Sequence, residues 1–256
     1  MGSRLLSIAA NTFRETIRNK ILYTILAFAL LVIGLTWFLA DLSVGELTRI
    51  IVDVGLAGIH VFGVIMAVFL GITLIHQELE RKTVYVILSK PVPRWEFVVG
   101  KALGLSGTLA LVTSVMSVVL FGVHAAYAKA IEPGILLASA GVYMELVLIV
   151  CAASFFSAFT TPVLSATFTL CLFLIGHVSR DLVDFGGRSA WSAVRWGAFA
   201  LYGALPDLEL FNWKNQVVYG EVRSFSVLLL PAGYLLAYGG GVLFLACLLF
   251  SRKDFK

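Results

Sequence analysis

Long apolar runs alternate with short charged breaks along all 256 residues of the chain. A helix needs about 20 residues to cross the hydrocarbon core of a bilayer. Runs of that order are expected at roughly 21–40, 52–75, 102–126, 134–158, 163–180 and 231–250. A charged stretch, 76–101, separates the second run from the third, and a longer stretch of mixed polarity, 181–230, separates the fifth from the sixth. The pattern predicts an all-α polytopic membrane protein with six transmembrane helices, built as a single transmembrane domain over 1–256.

Ahead of the first run, Leu5, Ile8, Ala9, Phe13 and Ile17 recur at helical spacing, with Arg14, Glu15, Arg18 and Lys20 on the other side. This predicts an N-terminal amphipathic interfacial helix over 4–20; the other reading is a frayed basic tail that only sets orientation. The first run is longer than the 7–15 residues of a signal-peptide core and no A-x-A-like site follows it, so it reads as a retained span. The stretch 181–230 carries Trp191, Trp196, Tyr202, Trp213 and Tyr219, the aromatic population of a membrane–water boundary. Its part near 190–205 is apolar enough to dip into the bilayer or lie as an interfacial helix.

Composition strengthens the membrane reading. The chain is 60% hydrophobic and 13% charged, with a mean hydropathy of +0.96, against about 25% charge in a soluble domain. The net charge of +4 does not point to nucleic acid, because the basic residues lie in short clusters between apolar runs, as topology signals do. Of 19 Lys and Arg, twelve fall on the side of the termini and the 76–101 loop: Arg4, Arg14, Arg18, Lys20, Arg81, Lys82, Lys90, Arg94, Lys101, Arg252, Lys253 and Lys256. The remaining seven lie mostly in the long 181–230 stretch, where charge counts weakly. Both termini and 76–101 are therefore expected in the cytoplasm, with 181–230 on the outer face. Cys151, Cys171 and Cys247 all fall inside apolar runs and read as small membrane residues, not as a disulfide or metal set.

The most informative stretch is HQELERKTVYVILSKPVPRWEFVVGK, His76 to Lys101. Its first part should continue the second span as a charged helix, where Glu78 and Lys82 stand four apart, worth a few tenths of a kcal/mol as an ion pair. Val84 to Leu88 form an apolar middle, and Pro91 and Pro93 end any helix. From the residues alone the stretch is either a partner-binding elbow or a solvated connector. It resembles the signature segment of type-2 ABC-transporter permeases, in the positions Glu78, Glu80, Arg81, Thr83, Leu88, Ser89, Pro91, Val92, Arg94, Phe97, Gly100 and Lys101. It is most similar to the multicopper-enzyme-maturation branch, which includes the NosY-like permeases. Many members of that branch carry Gly where this chain has Lys82, which favours a helical turn here.

The resemblance implies a permease subunit of the bacterial or archaeal cytoplasmic membrane that pairs with a second copy and binds two cytoplasmic ABC ATPases. It further implies that Glu78, Glu80, Arg81, Lys82, Thr83, Tyr85, Leu88, Pro91 and Arg94 form the ATPase-coupling element. The chain carries no G-x-x-x-x-G-K-[ST] phosphate loop, so ATP and Mg²⁺ belong on the partner ATPase and no cofactor or catalytic residue is expected in this chain.

Other positions are less specific. Glu145, near the middle of the fourth run, is either a weak substrate-binding candidate or a protonated or hydrogen-bonded packing residue. His60, with Asp53, is read at the outer opening of the second span, and His124 and His177 at the ends of the third and fifth. As scattered interfacial histidines they give no expectation of a metal site. Met66, Met116 and Met144, on three different spans, read as packing. Gly100-x-x-x-Gly104 and Gly239 to Gly241 read as seams for close helix approach, and Pro162, after Thr160 and Thr161, as a turn. Two further function classes compete: a membrane scaffold that moves nothing, and an intramembrane hydrolase. The latter lacks a G-x-S-x-G elbow or an evident carboxylate pair.

Overall fold

In lipid, each backbone N–H and C=O must be satisfied within its own segment, so the apolar runs become helices. The computed structural model describes residues 2–42, 47–80, 93–128, 132–187, 191–218 and 225–252. The long helices are α1 (Gly2–Ile17), α2 (Lys20–Leu42), α3 (Leu47–Glu80), α4 (Arg94–Ala128), α5 (Gly134–Ser157) and α6 (Pro162–Gly187). After them come α7 (Ser192–Ala204), a 3-10 turn at Glu209–Phe211 and the short α8 (Lys214–Val218). The last run passes through a 3-10 turn (Phe225–Leu228), α9 (Leu229–Tyr234), a π turn (Leu235–Gly239) and α10 (Gly240–Arg252). No strand occurs among the described residues.

Among those residues five helical stretches are long and apolar enough to cross a membrane: Thr48–Ile72, Arg94–Ala128, Gly134–Ser157, Pro162–Phe185 and Ser226–Ser251. A sixth arises if α1 and α2, bent by 64° at their junction, are counted together. The helices overrun the apolar runs. α3 carries the charged stretch out to Glu80, as its sequence predicts, and α4 begins at Arg94, directly after Pro93, whose fixed φ suits a helix start. α6 begins on Pro162 but continues to Gly187, so His177 lies within this helix and not at its end.

α3 and α5 form the centre of the bundle, with 67% and 72% of their apolar stretches buried, against 22% for both Pro162–Phe185 and Ser226–Ser251. Their backbones approach closely because Gly63 faces Leu146 and Gly71 faces Ala153; a Cβ on Gly63 would lie 2.6 Å from Leu146 Cδ1. Met66 and Met116 are core packing residues, and Met144 packs on a smaller cluster of Leu148, Leu208 and Phe211. The cysteines are free: Cys151 is buried, Cys171 exposed and Cys247 between the two.

The apolar face of α1 docks on α4. Gly100 lies against Leu5 and Ile8, and Gly104 against Ala9 and Thr12, where a Cβ would stand 2.5 Å from the Ala9 carbonyl oxygen. The Gly100-x-x-x-Gly104 seam thus receives the N-terminal helix, while Arg4, Arg14, Glu15 and Arg18 stay exposed. Of Gly239 to Gly241, only at Gly239 would a Cβ meet neighbours, Leu235 and Cys151; at Gly240 and Gly241 it would meet nothing within 4 Å.

The stretch after α6 has two parts. The part near 190–205 is the helix α7, with Trp196, Phe199 and Leu201 exposed. The following residues, 206–213, are the ones that enter the bundle. Leu208 and Phe211 are fully buried, and the Leu208 N–H donates to the Gly176 carbonyl at 3.2 Å. The entry is possible because Gly176 and Gly141 carry no side chain: a Cβ at Gly141 would meet the Phe211 carbonyl oxygen at 2.5 Å. Asp207 anchors the segment, accepting from Arg180 Nε at 2.8 Å and Tyr202 Oη at 3.2 Å, while its own N–H donates to Tyr234 Oη at 2.9 Å. α8 then packs against α3 and α5, with Val217 beside Gly134.

Candidate functional site

Two places concentrate chemistry, one at the end of the bundle where α3 finishes and α4 starts, the other buried beneath the inserted segment. At the first, Arg81, Lys82, Thr83, Tyr85, Leu88 and Pro91 lie outside the described residues, as do the side chains of Glu78 and Glu80. Arg94 is described, and its guanidinium does something the sequence did not suggest. Nη1 donates to the carbonyl oxygens of Ser251 at 2.9 Å and Phe250 at 3.4 Å. These are carbonyls at the C-terminal end of α10, where the last turn of a helix has no further N–H to donate to them, and a cation there also meets the negative end of the helix dipole. Phe97, one turn on, stacks against Phe250 at 6.1 Å between ring centroids, and Lys101 lies over the Phe97 ring at 5.1 Å. The end of the signature segment is therefore clamped to the last helix, and through Gly100 and Gly104 the same helix face holds α1.

The second place is a cluster of ionisable side chains from four elements. His60 comes from α3, Glu145 from α5, His177 from α6 and Lys214 from α8. Glu145 is 1% exposed and accepts from His60 Nε2 at 2.9 Å through Oε1. Lys214 Nζ stands 2.8 Å from the other nitrogen, His60 Nδ1. An ammonium has only donors, so the network assigns Nδ1 as acceptor and places the His60 proton on Nε2, toward Glu145. His177 donates from Nδ1 to the Phe173 carbonyl at 3.1 Å, which leaves its Nε2 facing Glu145 Oε1 at 3.5 Å. Two buried atoms of the cluster, Glu145 Oε2 and His177 Nε2, have no hydrogen-bond partner. The Phe173 ring walls the cluster, 4.7 Å from His177 and 5.6 Å from His60. Burial pulls the Lys214 ammonium below its ordinary pKa, and the carboxylates of Glu145, Glu209 and Asp53 offset only part of that.

This grouping corrects the sequence reading of scattered, span-end histidines. His60 stands about 20 Å along α3 from Leu47 at 1.5 Å per residue, far inside the helix, and it meets His177 on Glu145. His124 stays apart on α4, buried, with Nδ1 unpartnered. The signal available in the sequence was three ionisable residues within three apolar runs, with His177 near the end of its run; what the sequence did not disclose was that residues 206–213 turn inward and deliver Lys214 to them.

A groove of about 400 Å³ between α4 and α5 is lined by Thr113, Ser114, Ser117, Ser139 and Tyr143 among apolar neighbours. The hydroxyls of Thr113, Ser117 and Ser139 donate to carbonyls one turn back at 2.6–2.8 Å, so these three face the groove with their donor already committed.

Residues 6–186 match the family described as ABC-2 family transporter protein. The chain belongs to the ABC-2 transporter family. The match covers α2 to α5 entirely, α1 from residue 6 on and all but the last residue of α6, with 76–101 inside it. As a member of that family the chain is the membrane component of an ABC transporter, a multi-pass permease subunit, and such permeases generally work with ABC ATPases. No curated protein matches the sequence. Residues 206–218, which complete the buried cluster, lie beyond the matched range.

Proposed function

We propose that this ABC-2 permease works as a pair of copies with two separate cytoplasmic ATPases, and that residues 78–94 carry the force of ATP hydrolysis into the membrane helices. The work done is export or another transmembrane conformational change. The observation that carries this reading is the clamp of Arg94 and Phe97 on the end of α10. A push on the short stretch between Glu80 and Arg94 acts on α3 and α4 directly, on α10 through the clamp, and on α1 through the glycine seam. One element at one end of the bundle thus addresses four helices.

In this reading Tyr85, Leu88 and Val84 fill an apolar groove on the ATPase, while Glu78, Glu80, Arg81 and Lys82 steer docking and keep the turn stiff. Pro91 fixes the chain's direction into α4. ATP and Mg²⁺ are held by the ATPase. The Lys and Arg distribution supports a cytoplasmic position for both termini and 76–101, in a bacterial or archaeal cytoplasmic membrane, with the N-terminal helix at the interface and six spans in all. The similarity of Glu78–Lys101 to the multicopper-enzyme-maturation branch supports a place there. The hydrolase alternative gains nothing from the buried cluster, because His60 directs its nitrogens to Glu145 and Lys214 and His177 gives Nδ1 to a backbone carbonyl.

The test is the mass of the complex co-purified with its ATPase from membranes. Two permease copies with two ATPases are expected. A single permease copy with one ATPase, or a permease that leaves hydrolysis unaffected and acts only as a scaffold, contradicts the proposal.

A further inference from the structure

We propose that His60, Glu145 and His177 form a binding site for one divalent transition-metal ion of the zinc class, and that Lys214 is the cation that holds this site closed when no ion is bound. The inference is independent of the ATPase reading and rests on the geometry of the cluster.

Among the described residues this is a group whose ligand-capable atoms, one from each side chain, all lie within 4.8 Å of one another. Zn²⁺ binds imidazole nitrogen and carboxylate oxygen at about 2.0–2.2 Å, so tetrahedral ligands are about 3.3–3.5 Å apart. Of the distances here, the 3.5 Å from Glu145 Oε1 to His177 Nε2 matches that spacing, and the 2.9 Å to His60 Nε2 is a hydrogen bond that has to open by a few tenths of an ångström to admit the ion. Two imidazoles and one carboxylate suit a borderline ion; Mg²⁺ and Ca²⁺ prefer oxygen throughout.

The hydrogen-bond pattern gives an independent pointer. His177 commits Nδ1–H to the Phe173 carbonyl, the arrangement that aims the Nε2 lone pair of a ligand histidine. In the neutral ring that lone pair faces Glu145 Oε1, an acceptor against an acceptor, and neither His177 Nε2 nor Glu145 Oε2 has a hydrogen-bond partner. A buried polar atom left in this way is costly. A cation between His177 Nε2 and Glu145 Oε1 gives the imidazole nitrogen a partner and neutralises the carboxylate whose other oxygen, Oε2, is left unpaired.

Lys214 explains how the site can exist without an ion. With Lys214 charged, its ammonium balances the Glu145 carboxylate and, by donating to His60 Nδ1, keeps the proton on Nε2. A metal ion needs the Nε2 lone pair, so loading moves the His60 proton to Nδ1, where it opposes Lys214. The metal also brings two positive charges into surroundings that already hold one. Loading therefore requires Lys214 to turn away, and the ammonium and the metal exclude each other. Entry is on the His177 side, whose side chain is 22% exposed against 1% for Glu145. The neighbouring charged groups, Asp53 on α3 and Glu209 in the inserted segment, favour a cation there.

The experiment uses the full-length chain in lipid nanodiscs, stripped with chelator and titrated with Zn²⁺, with Co²⁺ as a spectroscopic probe and Mg²⁺ as the negative control. One Zn²⁺ per chain is expected, with the intense visible absorption of four-coordinate Co²⁺ and no competition from Mg²⁺. His60→Gln, His177→Gln and Glu145→Gln should each weaken binding by at least about tenfold, since even the partners of metal ligands matter by 10–100-fold. His124→Gln should leave it unchanged. Lys214→Met, which removes the competing charge while keeping the chain's length, should tighten binding by about tenfold or more. No stoichiometric ion in wild type or Lys214→Met, or equal binding in His124→Gln and the three ligand variants, overturns the site. Unchanged or weaker affinity in a Lys214→Met chain that still elutes as folded protein overturns the exclusion by Lys214.

Discussion

At the scale of single residues, Arg94 has a role that its place in a motif did not reveal. Read in sequence it is one more basic residue at the edge of a loop; in the fold it caps the last helix through the Ser251 and Phe250 carbonyls. A cation at a helix C-terminus contributes about 0.3–1 kcal/mol when exposed. Arg94→Ala should therefore lower the thermal midpoint of the detergent-solubilised chain slightly, and Arg94→Lys should restore much of it. Equal midpoints for all three would show that the clamp carries no energy. Glu145 was legible as unusual because an ionisable residue in mid-span is expensive unless it faces protein. Its partners were not legible, since nothing in a one-dimensional pattern tells which faces of α3, α5 and α6 meet.

Helices were the most readable level. The runs at 52–75, 102–126, 134–158 and 163–180 each became one helix, because length and apolarity leave a lipid-embedded backbone no other choice. The amphipathic stretch 4–20 became α1 for a related reason, though the groove it fills was disclosed only as two glycines four apart. The inserted segment escaped. Residues 206–213 carry Asp207, Glu209 and Asn212 among apolar neighbours, and the space they occupy is made by absences, Gly141 and Gly176, on other helices. Gly141→Leu should expel this segment, at about 1–3 kcal/mol for overpacking. The readout is protection of a cysteine at Leu208 from a water-soluble thiol reagent, on a chain lacking Cys151, Cys171 and Cys247. Burial in the Gly141 parent and labelling in the Leu variant are expected; labelling of both would contradict the insertion.

For the whole molecule, the distribution of apolar burial is itself informative. The outer spans keep most of their apolar surface exposed within one chain, as a protein whose surroundings are lipid and other apolar helices must. Asn215, exposed on α8, reports its side of the membrane: a cysteine there should react with an impermeant reagent from outside intact cells, and reaction only after the cells are opened would reverse the topology. The central claim, that residues 78–94 transmit hydrolysis, is tested most directly by the hydrolysis rate of the co-purified ATPase with Tyr85→Asp or Leu88→Asp in the permease. A charge forced into an apolar anchor costs well above the 1 kcal/mol or more lost on simple truncation. Both variants should insert normally, lose the ATPase in pull-down and abolish permease-dependent hydrolysis, while Lys82→Ala loses only a small part. Full ATPase binding and full hydrolysis in both Asp variants would contradict the account.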